Sequence, residues 1–139
     1  MERVELLFDP DNTRAADYVR DRLSMFNSSR TGKSDYYPCN IFLKGEKGEI
    51  LGGLLGSVWS DWLFVSILWV DEALRGQGHA TRLMDAAEDY ARTRGCHSAH
   101  LDTHTWQARP FYEKRGYEVF ATLDDFPPGH KKFFLRKKL

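Results

Sequence analysis

Apolar and polar positions change their period several times along the chain, and each change marks an element. Val4–Phe8 reads as a short strand, and Thr13–Phe26 as a helix with Ala16, Val19, Leu23 and Phe26 on its apolar side. Asp11 or Asn12 is placed to cap that helix. Asn27-Ser-Ser-Arg-Thr-Gly-Lys-Ser-Asp35 is polar and turn-rich, so it is expected to be a loop. Hairpin signals follow: a strand over Asn40–Lys44, the turn Gly45-Glu-Lys-Gly48, a glycine-rich strand over Ile50–Trp59, a turn at Ser60-Asp-Trp62, and the apolar run Leu63–Val70. Ala80, Leu83, Met84, Ala87 and Ala91 then recur at helical spacing, and Gly95 is placed to close that helix. Ser98–Asp102 reads as a strand, roughly Gln107–Arg115 as a helix, and Glu118–Leu123 with Lys132–Arg136 as a final strand pair. This order predicts an α/β fold, a mixed sheet with helices on both faces.

Composition narrows the class. With 139 residues and 42% apolar content, the chain is expected to form one domain spanning residues 1–139 with its own core. Twenty basic and twenty acidic residues cancel, so no net field favours nucleic acid or an anionic membrane. The longest apolar run is too short to span a bilayer, and Met1-Glu-Arg-Val-Glu does not read as a signal peptide. The two cysteines, Cys39 and Cys96, read as buried small residues rather than a disulfide framework, which makes a cytoplasmic location the expectation.

The chemistry begins at Arg75-Gly-Gln-Gly-His-Ala80, between the Leu63–Val70 run and the next helix. Two glycines let the backbone turn sharply and point several N–H groups one way. A helix N-terminus, with unpaired amides and the positive end of its dipole, then holds an anion such as phosphate. A P-loop would need Lys followed by Ser or Thr after its last glycine, where this chain has His79-Ala80; the dinucleotide fingerprint would need a third glycine, and Ala80 falls short of its position. Read as Arg-x-x-Gly-x-Ala, residues Arg75, Gly78 and Ala80 resemble the acyl-CoA signature of the GNAT superfamily of N-acetyltransferases. A second motif, Ala108, Tyr112, Gly116 and Tyr117, is similar to that family's closing signature.

The resemblance implies a mostly antiparallel central sheet of six to seven strands flanked by helices, with a splay between the Leu63–Val70 and Ser98–Asp102 strands into which acetyl-CoA enters. It implies a backbone N–H near Leu68, Trp69 or Val70 polarising the thioester carbonyl, and amides of Gln77, Gly78, His79 and Ala80 holding the pyrophosphate. Arg75 would add charge there, or remain a solvated loop residue; Thr105 and Ala108 would lie near the cofactor. Tyr112 would be the general acid that protonates the departing thiolate, its alternative being aromatic packing beside Phe111. Many family members carry asparagine where this chain has Thr105, which is placed to cap the following helix instead. Gly116 is expected to end that helix and Tyr117 to pack in the core.

The general base has no fixed motif position, and Asp102, His104, Asp125 and His130 are its candidates. The Asp124–His130 loop, with two prolines, is expected to shape the acceptor pocket. Trp59, Trp62, Trp69 and Trp106 are expected mostly in the core. Cys96, His97 and His100 invite a metal reading, but on a strand residues 97 and 100 point to opposite faces, so no metal is expected. The basic end, His130 to Lys138, reads as solvated edge residues rather than a nucleic-acid patch. The function implied is transfer of acetyl from acetyl-CoA to a primary amine by direct attack, and a homodimer is possible by resemblance. The alternative is a non-catalytic acyl-CoA sensor or scaffold.

Overall fold

The computed structural model describes residues 2–139, and the chain divides into a unit ending at Ser34 and a unit from Asp35 to Leu139. The first unit carries one helix, α1 (Thr13–Thr31), capped where Asn12 Oδ1 accepts from the Ala15 amide at 2.9 Å. Two expectations fail in it. Residues 4–8 belong to no strand, since a short apolar run cannot by itself supply a neighbouring strand to pair with. The helix also runs five residues past Phe26, through the stretch expected to be a loop. Its hydroxyls bond back to helix carbonyls, Ser29 Oγ to Phe26 O and Thr31 Oγ1 to Asn27 O, instead of competing for a turn, and Gly32 ends it in the left-handed region.

The second unit contains β1 (Tyr36–Lys44), β2 (Ile50–Trp59), β3 (Trp62–Val70), α2 (His79–Thr93), β4 (Ser98–His104), α3 (Arg109–Lys114), β5 (Glu118–Asp124) and β6 (Lys131–Lys138). They form a six-stranded mixed sheet in the order β1-β2-β3-β4-β6-β5, in which only β3 and β4 run parallel. That pair is joined by the α2 crossover, as a parallel connection requires. β6 therefore lies inside the sheet and β5 forms the edge, contrary to the expectation for the basic end. Its cations are spent on partners: Lys132 on Asp102, Arg136 on Glu118 and Lys137 on Glu88.

One sheet face is buried. Leu54, Leu63 and the cross-strand row Val65, Leu101 and Leu135 share a core with Leu83, Met84, Ala87 and Ala91 of α2 and Tyr112 of α3, so both helices of this unit share that face. Cys39 and Cys96 are buried free thiols, as expected. Gly116 ends α3, with the Tyr117 amide bonded to the Tyr112 carbonyl at 3.1 Å, and Tyr117 is 2% exposed, both as expected.

A buried charge fastens the two helices. Glu88 of α2, 2% exposed, accepts from Tyr117 Oη at 2.7 Å and Lys137 Nζ at 2.8 Å, and lies 3.2 Å from Arg115 Nη2. Burial pushes this carboxyl up, but the hydrogen bonds from Lys137 and Tyr117 and the Arg115 charge outweigh it and hold it below its ordinary value. Its contribution to stability is present above the unfolded carboxylate pKa of about 4.3 and is lost as pH falls through the lower folded value. Glu88→Gln keeps the shape and strands the cations. It is expected to lower the unfolding free energy by about 3 kcal/mol at pH 7, with the difference from the parent shrinking towards pH 3. Urea unfolding at both pH values measures this; an unchanged difference would remove the charge from the account.

Candidate active site

β3 and β4 pair over only four positions, Trp62 to Val65 against Ser98 to Leu101, although both strands continue beyond. The separation coincides with an irregularity in β3: Leu55 faces Ile67 while Gly56 faces Val65, leaving Ser66 as an extra residue whose hydroxyl bonds the Leu55 carbonyl at 2.9 Å. Gly56 permits that close approach, since a Cβ there would lie 2.4 Å from the Phe64 carbonyl oxygen. The result is the splay expected from the resemblance.

Which amides face the gap follows from alternation. The Asp71 amide bonds Leu51 O on the β2 side, so Trp69 also faces β2, whereas Leu68 and Val70 face away from it. The Val70 carbonyl, pointing the same way, accepts from Arg75 Nε at 3.0 Å. Of the three residues expected to supply a polarising amide, Leu68 and Val70 have the orientation for it.

The cradle lies at the foot of α2. Gly78, the N-cap, has φ 84°, which a β-carbon would strain, and no side chain caps the helix. Among the described residues the amides of Gly78, His79 and Ala80 donate to no protein group, so the positive end of a 15-residue helix is left open to an anion.

A cavity of about 920 Å³ joins these parts, lined by Leu68 to Val70, Arg75, Gly78 to Ala80, Asp102, His104, Ala108 and Tyr112. Gln77 and Thr105 lie outside its lining: the Gln77 side chain reaches back to Ala73 O, and Thr105 Oγ1 bonds His130 Nδ1 at 2.7 Å. Thr105 does not cap α3, whose N-cap is Ala108. Tyr112 is 7% exposed and packs against Phe111 and Tyr117. Burial first, then the Asp102 charge, push its phenol up to about 12, so it keeps its proton at neutral pH.

Asp102 and His104 alternate onto the sheet face opposite Thr103, which is buried. Asp102 is shared with Lys132 at 3.7 Å. His104 is organised by a residue the sequence reading missed: Gln107 Oε1 accepts from the His104 amide at 2.8 Å and from Thr103 Oγ1 at 3.2 Å, and lies 3.1 Å from His104 Nδ1. An oxygen in that position assigns the ring proton to Nδ1 and leaves Nε2 as the lone pair. Nothing in the sequence pattern marks Gln107, because its role depends on the turn after β4.

Two further expectations are corrected. His97 precedes β4, so strand alternation does not apply to it, and the rings of His97 and His100 both lie edge-on to Trp62, at 5.7 and 5.6 Å. Among the described residues no three His, Cys, Asp or Glu side chains gather as a metal site. None of the four tryptophans is in the buried core; Trp59, Trp69 and Trp106 are each more than two-fifths exposed, on the sheet face away from the helices or beside the cavity. No helix of the described residues is long and apolar enough to cross a membrane.

Residues 4–117 match the model of the acetyltransferase (GNAT) family. An acetyltransferase of Agrobacterium fabrum is 36% identical over 133 residues, covering 96% of this chain and 97% of that protein. The blasticidin-S acetyltransferase of Streptomyces morookaense is 44% identical over 96 residues, 68% of this chain and 71% of that one. A crystal structure from Agrobacterium tumefaciens superimposes with TM-score 0.91 at 35% identity, covering 99% of this chain and 100% of that one. A more distant solved structure from Bacillus anthracis, in complex with acetyl coenzyme A, shares the fold at TM-score 0.63 and 18% identity over 73% of this chain and 62% of that one. With the splayed sheet, the open helix N-terminus and both sequence signatures already in view, the chain belongs to the GNAT family and is an acetyl-CoA-dependent acyltransferase.

Proposed function

We propose that this protein transfers the acetyl group of acetyl-CoA to a primary amine by direct attack, with both substrates bound together. The carrying observation is convergence: unpaired β3 amides, the open α2 N-terminus and the protonated Tyr112 phenol border one cavity. The α2 amides with Arg75 suit the pyrophosphate, and the Leu68 or Val70 amide suits the carbonyl oxygen of the thioester.

The reaction then balances without an enzyme-bound intermediate. A neutral amine attacks the carbonyl carbon, its nitrogen forming the new bond while the oxygen gains charge beside the β3 amide. His104 Nε2 takes the proton the nitrogen sheds, Asp102 being the second candidate. Collapse breaks the carbon–sulfur bond, and the thiolate takes the Tyr112 proton. A phenol at about 12 is a reluctant donor to a free thiolate, but the same dry surroundings that raise the phenol also raise the basicity of a thiolate formed next to it.

The blasticidin-S acetyltransferase relative makes blasticidin S the first acceptor to try. Release of free thiol from acetyl-CoA on addition of blasticidin S or another primary amine is the expected result; no release across a broad amine panel would overturn the reading.

Tyr112→Phe is expected to reduce kcat by about 100-fold while changing the Kd for acetyl-CoA less than two-fold, measured by thiol release and calorimetry. Because the phenol titrates at about 12, it generates no loss of kcat between pH 8 and 10 in the parent. An unchanged kcat in the variant would remove Tyr112 from the acid role. For the cradle, acetyl-CoA is expected to bind about 100-fold more tightly than S-acetylpantetheine, which lacks the pyrophosphate; equal affinities in calorimetry would move the phosphates away from α2.

A further inference from the structure

Around the end of β4 and the loops before α3 and β6 stands a group of rings of which the proposed transfer chemistry uses only His104. The His104 and Trp106 rings lie nearly parallel, 23° apart with centroids 4.6 Å apart. Phe126 leans on His104 at 5.4 Å, and His130 meets Trp106 edge to face at 5.0 Å. Even with both neighbours Trp106 remains 55% exposed, and it lines the cavity.

These rings are fixed by polar bonds rather than by a core. Gln107 Oε1 holds His104. Thr105 Oγ1 pairs with His130 Nδ1, and the Thr105 amide donates to Lys131 O at 3.0 Å, so the loop before β6 is tied to the loop before α3. An apolar ring held at a cavity mouth with half its area in water is an unfavourable arrangement in the free protein, and a stacking ligand relieves it without prior ordering of the wall. A cation would be the other natural guest of such rings. At Phe126 that place is already taken, since the Lys132 ammonium sits 4.7 Å from its ring and 5.4 Å from Phe134, which leaves the Trp106 face as the one for a guest to stack on.

We infer that the acceptor is a primary amine carried on a planar aromatic or heteroaromatic group, whose ring extends the His104–Trp106 stack while its amine reaches the gap. This rests on the acetyl-transfer reading and names its substrate class; Trp106 becomes the residue that selects the acceptor. The rings also orient the amine, because His104 is at once part of the stack and the group whose Nε2 lone pair faces no bonded partner among the described residues.

The test compares 2-phenylethylamine with 2-cyclohexylethylamine, which share chain, charge and approximate size but differ in having a flat π face. Calorimetric titration of the coenzyme A complex is expected to give at least about five-fold tighter binding of the phenyl compound. Trp106→Leu should abolish that preference without changing coenzyme A affinity, and Trp106→Phe should retain most of it. Equal affinities in the parent, no measurable binding of either amine, or a preference that survives in Trp106→Leu would each overturn the inference. Thiol release from acetyl-CoA separates the two levels. A ring preference in binding with no thiol released from any amine leaves the stacking wall standing and removes the transfer reading, whereas turnover of both amines at equal kcat/KM does the reverse.

Discussion

Everything the site offers depends on two parallel strands parting after four paired positions. In a continuous sheet the Leu68 and Val70 amides would bond to β4, and no room would exist between the strands. The extra residue at Ser66 shifts the register against β2 just where the partnership with β4 ends, so β3 stays anchored on one side while its other side opens. Unpaired backbone groups inside a fold are costly unless water or a ligand meets them. Here they are gathered at one cavity instead of scattered, which turns a defect in the sheet into a line of directed donors.

α2 has to be held firmly if donors at its N-terminus are to keep their aim. Its own N-cap contributes no side chain, so the fastening comes from further along. Glu88 lies nine residues after His79, about 13.5 Å along the axis, and it gathers Lys137 of β6, Tyr117 and Arg115 just beyond α3. Arg115 also reaches Asp85 on α2 at 2.8 Å. The same cluster therefore sets the helix that presents the amides against the helix that presents Tyr112. A buried ion pair adds little net stability over a well-packed apolar contact, but it tolerates few alternative arrangements. In this fold that directional demand fixes the relative placement of the open α2 N-terminus and the Tyr112 phenol.

The parts of the protein legible in the sequence are those whose physics is local. Gly78 and Gly116 announce backbone geometry at their own positions, and the apolar spacing of Leu83, Met84, Ala87 and Ala91 announces a helix face. What the sequence hid is what depends on neighbours far away in the chain. Val4–Phe8 has the apolar content of a short strand and is not one. The helix through Ser28 to Thr31 reads as a loop because hydroxyl-rich segments usually bond locally against a helix, whereas here Ser29 and Thr31 bond along it. β6 looks like an edge until Asp102, Glu88 and Glu118 are brought opposite its cations. Gln107 and the stacked rings belong to the same class, since their meaning arises only when two loops meet.

That distinction also separates donor from acceptor recognition. In the proposed reaction the thioester side would be served by main-chain N–H groups, which any residue can supply once the backbone has the right course; two glycines and a helix start are enough to mark it. The acceptor side of the proposed reaction would fall to the side chains Asp102, His104, Trp106 and Phe126, drawn from separate loops and strand ends. A cavity of about 920 Å³ stands near the upper end of what one small ligand fills, and the proposed direct transfer needs both partners inside together. The backbone half can stay constant while the side-chain half is rebuilt for a new amine, because neither the Leu68 and Val70 amides nor the α2 N-terminus depends on which rings line the opposite wall. Tyr112 stands between the halves: its burial is set by the core shared with Tyr117, so its protonation is insulated from changes in the acceptor loops, with Asp102 the one acceptor-side group whose charge reaches it.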